Sequence, residues 1–458
     1  MIRPPDPSGP GDTETAAPAL PGFSKACAYW LRLGLVSFGG PAGQISIMHQ
    51  DLVERRRWIS EHRFLHALNY TMLLPGPEAQ QLATYIGWLM HGTAGGLVAG
   101  VLFVLPSLMI MMALAWVYVI YHELPVIAGM FYGVKPAVVA IVLAAAHRIG
   151  TRSLATPFAR LIAVLAFLAL LLGHLPFPLI IAGAAAAGFI AARFRPGWLA
   201  VTARHQDAGR AYGPALIDDD TPVAPHAQFN WRRVTAFAVT GLALWCMVSA
   251  LLVLQFGWHG TFTQMGWFFT KAALLTFGGA YAVLPYVYQG AVQQFQWLTA
   301  TQMIDGLALG ETTPGPLIMI VAFVGFIGGW NAAPFAPHLP LFAAIAGACT
   351  ATFFTFLPSF IFIFVGAPAV EATRHELRIS APLAAITAAV VGVILNLAVF
   401  FAEHVLWPQG LTGPMELPAL VLGLLATVAL FRFRVGIIPL ITAAAMSGLG
   451  LNLAGVAP

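Results

Sequence analysis

Apolar runs long enough to cross roughly 30 Å of hydrocarbon lie approximately at residues 95–121, 126–147, 232–256, 340–366, 381–402, 415–431 and 434–452. Shorter ones occupy 158–173 and 176–192, with His174-Leu175-Pro176-Phe177-Pro178 as a tight turn between them. The pattern predicts nine crossing helices in an all-α polytopic membrane protein. Four further segments are apolar but interrupted: 24–50 around Phe38-Gly39-Gly40-Pro41, 64–92 around Pro75-Gly76-Pro77, 264–289 around Phe277-Gly278-Gly279, and 303–330 around Pro314-Gly315-Pro316. Backbone groups freed by Pro and Gly at membrane depth must be satisfied by protein or water, so these breaks predict broken or re-entrant helices facing a protein-lined cavity. The expected total is about 13 membrane segments.

The interruptions repeat. Phe38-Gly39-Gly40 recurs as Phe277-Gly278-Gly279 and Pro75-Gly76-Pro77 as Pro314-Gly315-Pro316, both 239 positions on, as Trp58 does at Trp297; ten of the 40 aligned positions from 38 to 77 are identical. After a shift of 13 residues within roughly 326–340, Leu105-Pro106-Ser107 aligns with Leu357-Pro358-Ser359 and Ala137-Val138-Val139 with Ala389-Val390-Val391, now 252 apart. Duplicated broken helices in an apolar chain indicate a transporter built from two repeats. The organisation read from this is a disordered tail at 1–23, a first repeat at 24–193, a polar linker at 194–231, a connecting helix at 232–256 and a second repeat at 262–455.

Charge orients the repeats. With the N-terminus cytoplasmic and each interrupted segment returning to its side of entry, the loops placed inside hold Arg55, Arg56, Arg57, Arg63, Arg148, Arg152 and Arg160. They also hold the linker arginines, Arg374, Arg378, Arg432 and Arg434. The loops placed outside carry no Lys or Arg, as the positive-inside rule requires. The connecting helix gives an odd number of crossings between equivalent positions, so the second repeat is inverted and the C-terminus is periplasmic. Arg55–Arg57 accordingly becomes Gln294-Phe295-Gln296 in the second copy.

The composition agrees with a bilayer protein: 458 residues, 59% apolar, 9% charged, mean hydropathy +0.81, against about a quarter charged in soluble domains. The start from Met1 to Gly22 lacks a basic segment followed by an apolar run, so no signal peptide is expected. The net charge of +4 resides in short clusters between spans, which excludes a nucleic-acid binder. Cys27, Cys246 and Cys349 are scattered and no histidine spacing suits a metal, so neither metal nor cofactor is expected.

The runs Phe38-Gly39-Gly40-Pro41-Ala42-Gly43-Gln44-Ile45 and Leu74-Pro75-Gly76-Pro77-Glu78-Ala79-Gln80-Gln81-Leu82-Ala83-Thr84-Tyr85-Ile86-Gly87 resemble the chromate ion transporter family. So do Thr276-Phe277-Gly278-Gly279 and Ala308-Leu309-Gly310-Glu311-Thr312-Thr313-Pro314-Gly315-Pro316. The resemblance covers nearly the whole chain, in the family's long bidomain form. It implies a bacterial inner-membrane protein that exports chromate and confers resistance to it. Chromate as substrate comes from the resemblance alone; sulfate or another small oxyanion is the alternative, and a membrane-embedded lipid-diphosphate phosphatase a remoter one, lacking the clustered arginines it needs.

An oxyanion in a low-dielectric site needs cations or convergent N–H donors, and half-helices starting after Gly40, Pro77, Gly279 and Pro316 offer such donors. Arg32 and Lys271, again 239 apart, stand two turns before the glycine pairs and read as substrate cations or as interfacial anchors. Glu78 reads as a proton or anion gate or as a helix-start carboxylate. Gln80 and Gln81 read as amide donors or helix-pairing groups, and Glu311, Thr312 and Thr313 as ligands or local caps. Lys135 either pairs with an acid or lines the pathway, whereas Asp305 and Asn396 read as packing groups. The mechanism expected is alternating access around breaks that converge near the midplane. Proton coupling and a homodimer stay open.

Overall fold

The structure, a computed structural model, describes residues 18–38, 40–172, 175–194, 212–222, 224–332, 339–373 and 381–456. In the first repeat the helices are α1 (Phe23–Val36), α2 (Gly40–His49), α3 (Glu61–Leu73), α4 (Glu78–Tyr121), α5 (Pro125–Ser153), α6 (Pro157–Leu171) and α7 (Phe177–Phe194). A connecting helix, α8 (Trp231–Phe256), follows. The second repeat holds α9 (Thr261–Leu275), α10 (Ala280–Tyr288), α11 (Ala300–Thr312), α12 (Ile320–Ala332), α13 (Pro340–Thr373), α14 (Ala381–Leu406), α15 (Leu417–Phe431) and α16 (Ile437–Leu453). Tail residues 1–17, most of the linker and Arg374 and Arg378 lie outside the described residues.

Local chemistry sets the helix starts. Thr156 accepts from the Ala159 N–H with Pro157 as first helical residue, and Thr299 and Gln302 form a capping box at α11, each satisfying N–H groups that a helix leaves open. α4 is bent back on itself: His91 and Gly92 leave helical geometry, Gly92 at φ 65°. Residues 78–90 therefore fold antiparallel onto 93–121, with Gly87 against Gly95 and Ala99 so closely that a Cβ there would lie 2.5 Å from the Ala99 methyl.

This turn makes the interrupted segments hairpins. The start of α1 lies beside it, the His91 ring 3.0 Å from the Pro21 carbonyl. α1 then runs inward along α4 until Gly34 abuts the Leu102 and Phe103 carbonyls. α2 and a π-helical turn (Gln50–Arg55) return the chain to where Trp58 meets Tyr29, ring centroids 5.1 Å apart. α3 and residues 78–90 form the second hairpin, and both begin and end on the face of Arg55–Arg57. The second repeat copies this geometry. Its π-helical turn is Gln289–Gln294, Trp297 meets Phe268 at 5.5 Å, and Arg57 and Gln296, at equivalent positions, are left-handed at φ 52° and 53°.

The two copies are inverted. Gly96 and Gly100 of α4 pack against Phe364 and Phe360 of α13, whereas their equivalents at offset 252 are Ala348 and Thr352, so α4 and α13 run antiparallel. The hairpins of the second repeat accordingly begin and end on the opposite face, where the Asn331 amide donates to the Trp297 carbonyl at 3.0 Å. The arrangement is nine crossings and four re-entrant hairpins among the described residues.

The helices sort into two bundles, and each repeat contributes to both. One bundle packs α5–α7 against α14–α16 through small-residue contacts: Gly392 on Ala163, Gly188 on Ala381, and Gly133 on Ala444 and Gly448. Such close backbone approach is how helices associate where lipid removes the hydrophobic drive. The other bundle holds all four hairpins with the crossing part of α4, α8 and α13.

Candidate functional site

The breaks of the two repeats meet crosswise. The Gly76 N–H donates to the Thr276 carbonyl at 2.7 Å, and the Gly315 N–H to the Ser37 carbonyl at 2.7 Å, the same bond under a 239-residue shift. Gly76 and Gly315 are left-handed, φ 121° and 102°. A Cβ on Gly76 would meet Ser359 Oγ at 2.4 Å and one on Gly315 would meet Ser107 Cβ at 2.5 Å, and those two serines are themselves equivalent. Both demands select glycine. Gln81 Nε2 donates to the Pro75 carbonyl at 2.8 Å and Gln44 Nε2 to that of Gly315. These amides therefore satisfy backbone exposed by the breaks.

Beside this crossing a cavity of about 890 Å³ separates the two bundles on the Arg55–Arg57 face. The hairpin bundle lines it with Pro41, Glu78 and Phe277-Gly278-Gly279, and the other bundle with Arg148, Arg152 and Thr387. Gly278 and Gly279 are left-handed at φ 79° and 97° and deliver the N-terminus of α10 to the cavity wall, backbone N–H groups first. Arg148 stands half-buried over the Tyr281 ring, 6.0 Å from its centroid, and Tyr281 donates to Glu311 Oε1 at 2.6 Å. The floor is thus a helix start and a guanidinium facing each other across the bundle interface. Such a constellation suits an anion with several acceptor oxygens.

The sequence candidates divide. Glu78, Phe277, Gly278 and Gly279 line the cavity. Glu311 lies buried behind Tyr281. Pro75, Gly76, Pro77, Pro314, Gly315 and Pro316 form the crossing, while Phe38 and Gly40 (φ 70°) form the first break; Gly39 lies outside the described residues. Gln80 donates to Thr84 Oγ1 at 3.0 Å, and Thr312 and Thr313 donate back to the carbonyls of Leu309 and Gly310, so these three serve their own helices. Arg32 is exposed on the outer side of α1. Lys271 sits 5.8 Å from the ring of the exposed Trp267. Neither cation lines the cavity.

The cations that do were absent from the sequence candidates. Arg148 and Arg152 read as loop residues beyond an apolar run ending at 147, yet α5 continues to Ser153. Their signal was a helical register carried on from Val142, Ala145 and Ala146, all buried.

On the opposite face the bundles are shut. Lys135 of α5 approaches Asp305 of α11 at 3.7 Å, Tyr118 donates to the other Asp305 oxygen at 2.9 Å, and His122 stacks on Tyr118. Asp305 is buried. The equivalent positions in the other repeats are Thr387 and His66, and Thr387 lines the open cavity. One pseudo-symmetric interface is therefore tied by an ion pair and its twin stands apart. A further pair, Arg63 with Glu371 at 2.9 Å, lies within the hairpin bundle and ties its two repeats together.

The profile of the family described as "Chromate transporter" matches residues 24–189 and 263–449. A "Chromate transport protein" of Cupriavidus metallidurans is 31% identical over 98% of this chain and 97% of its own length, and one of Pseudomonas aeruginosa 32% identical over 95% and 94%. A "Probable chromate transport protein" of Synechococcus elongatus is 28% identical over 92% and 93%. No solved structure matches. With the profile spanning both inverted halves and the breaks falling where the motifs do, the chain belongs to the chromate transporter family.

Proposed function

We propose that this protein exports chromate from the cytoplasm across the bacterial inner membrane by alternating access, and so confers chromate resistance. The observation that carries the reading is the cavity between the bundles, open to the arginine-bearing face and ending at Arg148 and the α10 N-terminus. By the positive-inside rule that face is cytoplasmic. Its volume, about 890 Å³ against about 30 Å³ per water in the liquid, admits a tetrahedral dianion with its inner hydration water. Arg148 and the N–H groups beside Gly278 and Gly279 replace water at the oxyanion, and Arg152 attracts it from the mouth.

Movement of one bundle against the other closes the Arg148 side and parts Lys135 from Asp305, exposing the ion to the periplasm. A negative interior favours outward passage of negative charge by about 2.3 kcal/mol per charge at 100 mV. The test is chromate uptake by everted membrane vesicles under an imposed potential. Uptake that rises with inside-positive potential supports the reading, and none above vesicles lacking the protein refutes it. Unlabelled sulfate competing better than chromate would reassign the substrate within the oxyanions.

A further inference from the structure

Glu78 is the buried carboxylate on the cavity wall. It opens α4 directly after Pro77, lines the cavity together with Arg148 and Gly279, and among the described residues no group hydrogen-bonds to it. Its equivalent in the second repeat is Leu317, so the pseudo-symmetry supplies no second carboxylate to share its charge. The remaining titratable and charged groups of the cavity are His49, Glu54, Glu61, Arg148, Arg152 and Tyr281. Glu54 and Glu61 flank His49 at 3.2 and 3.8 Å and are partly solvated, whereas Glu78 is shielded from bulk water.

A carboxylate and an oxyanion are both acceptors only, and with the carboxylate buried in the wall beside the ion they repel. A carboxylic acid reverses this: its O–H donates to an oxyanion oxygen and one negative charge is removed from the site. We propose that Glu78 is a proton-binding site coupled to the oxyanion site, each dianion binding together with one proton on this side chain. The inference rests on the cavity being an oxyanion site. Its consequence is a loaded carrier with one negative charge fewer, so that export carries a proton outward with each dianion and the net charge moved is one.

The test is titration calorimetry of the full chain, purified in detergent, with sulfate, which stays a dianion over the range used, in two buffers of different ionisation enthalpy. The wild type is expected to take up one proton per sulfate, with a Kd rising about tenfold per pH unit once Glu78 titrates. Glu78→Gln is expected to bind sulfate with no proton uptake and a Kd that is flat with pH. A protonated-carboxyl band appearing in the wild-type infrared difference spectrum on sulfate addition gives the same answer without a variant. Sulfate binding with no proton uptake and no such band overturns this inference alone, as does uptake that survives Glu78→Gln but is lost in His49→Gln. No binding of sulfate or chromate by the wild type overturns the oxyanion reading and this inference with it.

Discussion

The N–H of Gly76 reaches across to the carbonyl of Thr276 at 2.7 Å, and the repeat makes the same bond in reverse between Gly315 and Ser37. Each broken hairpin is thus completed by backbone from the other copy. A left-handed non-glycine residue costs about 1–3 kcal/mol, and a methyl at 315 would also meet Ser107. Gly315→Ala and Gly76→Ala are each expected to lower the Tm of the purified protein and abolish chromate uptake. An unchanged Tm in both would show that the crossing tolerates a side chain.

Arg148 and the pair Arg32 and Lys271 make opposite predictions. A charged hydrogen bond contributes about 1.5–3 kcal/mol, so Arg148→Gln is expected to weaken chromate transport by roughly 10- to 100-fold, chiefly through KM. Arg32→Gln and Lys271→Gln, removed from the cavity, are expected to transport within about twofold of wild type. Initial rates in everted vesicles at matched protein levels decide between them.

Asp305 is buried while Lys135 is 26% exposed, so removing Lys135 alone leaves an uncompensated buried charge, up to about 3–5 kcal/mol, and removing Asp305 alone or both costs less. Lys135→Met is therefore expected to lower stability more than Asp305→Asn or the double variant does. If the pair closes the periplasmic side, the double variant also gains reactivity towards an impermeant thiol reagent at a cysteine placed at Tyr118. Equal stability of all three variants would remove the ion pair from the account.

Arg57 and Gln296 share an unusual backbone conformation on opposite faces. In a background without native cysteines, Arg57→Cys is expected to react with an impermeant maleimide only in everted vesicles and Gln296→Cys only in intact spheroplasts. Labelling of both from one side would contradict inversion.

The breaks and the inversion were legible because backbone chemistry leaves a mark in sequence: Gly and Pro stay where φ is left-handed or an N–H is missing, and arginines stay on one side. Facing was harder. Depth along a helix equated Arg32 with Lys271, but azimuth decides contact. Ala26, Tyr29, Trp30, Leu33 and Gly34 form the buried stripe of α1, and Arg32 stands about 130° off it at 100° per residue. Arg148 was lost for another reason. Apolarity ends where a span meets a polar cavity, which need not be where the helix ends, so the very residue that faces the cavity resembles a loop charge.

The division of each repeat between two bundles bears on ancestry. A lone half-length chain could complete neither bundle, and its broken hairpins would lack the carbonyl that the other copy supplies; such a chain has to pair with a sibling inserted upside down. Fusion through α8 fixes that pairing within a single gene product and releases the halves from identity. Glu78 opposite Leu317 and Arg148 opposite Phe400 are what a joined chain can hold and a symmetrical pair cannot: an acidic and a basic side chain in one cavity, neither with a counterpart in the other repeat.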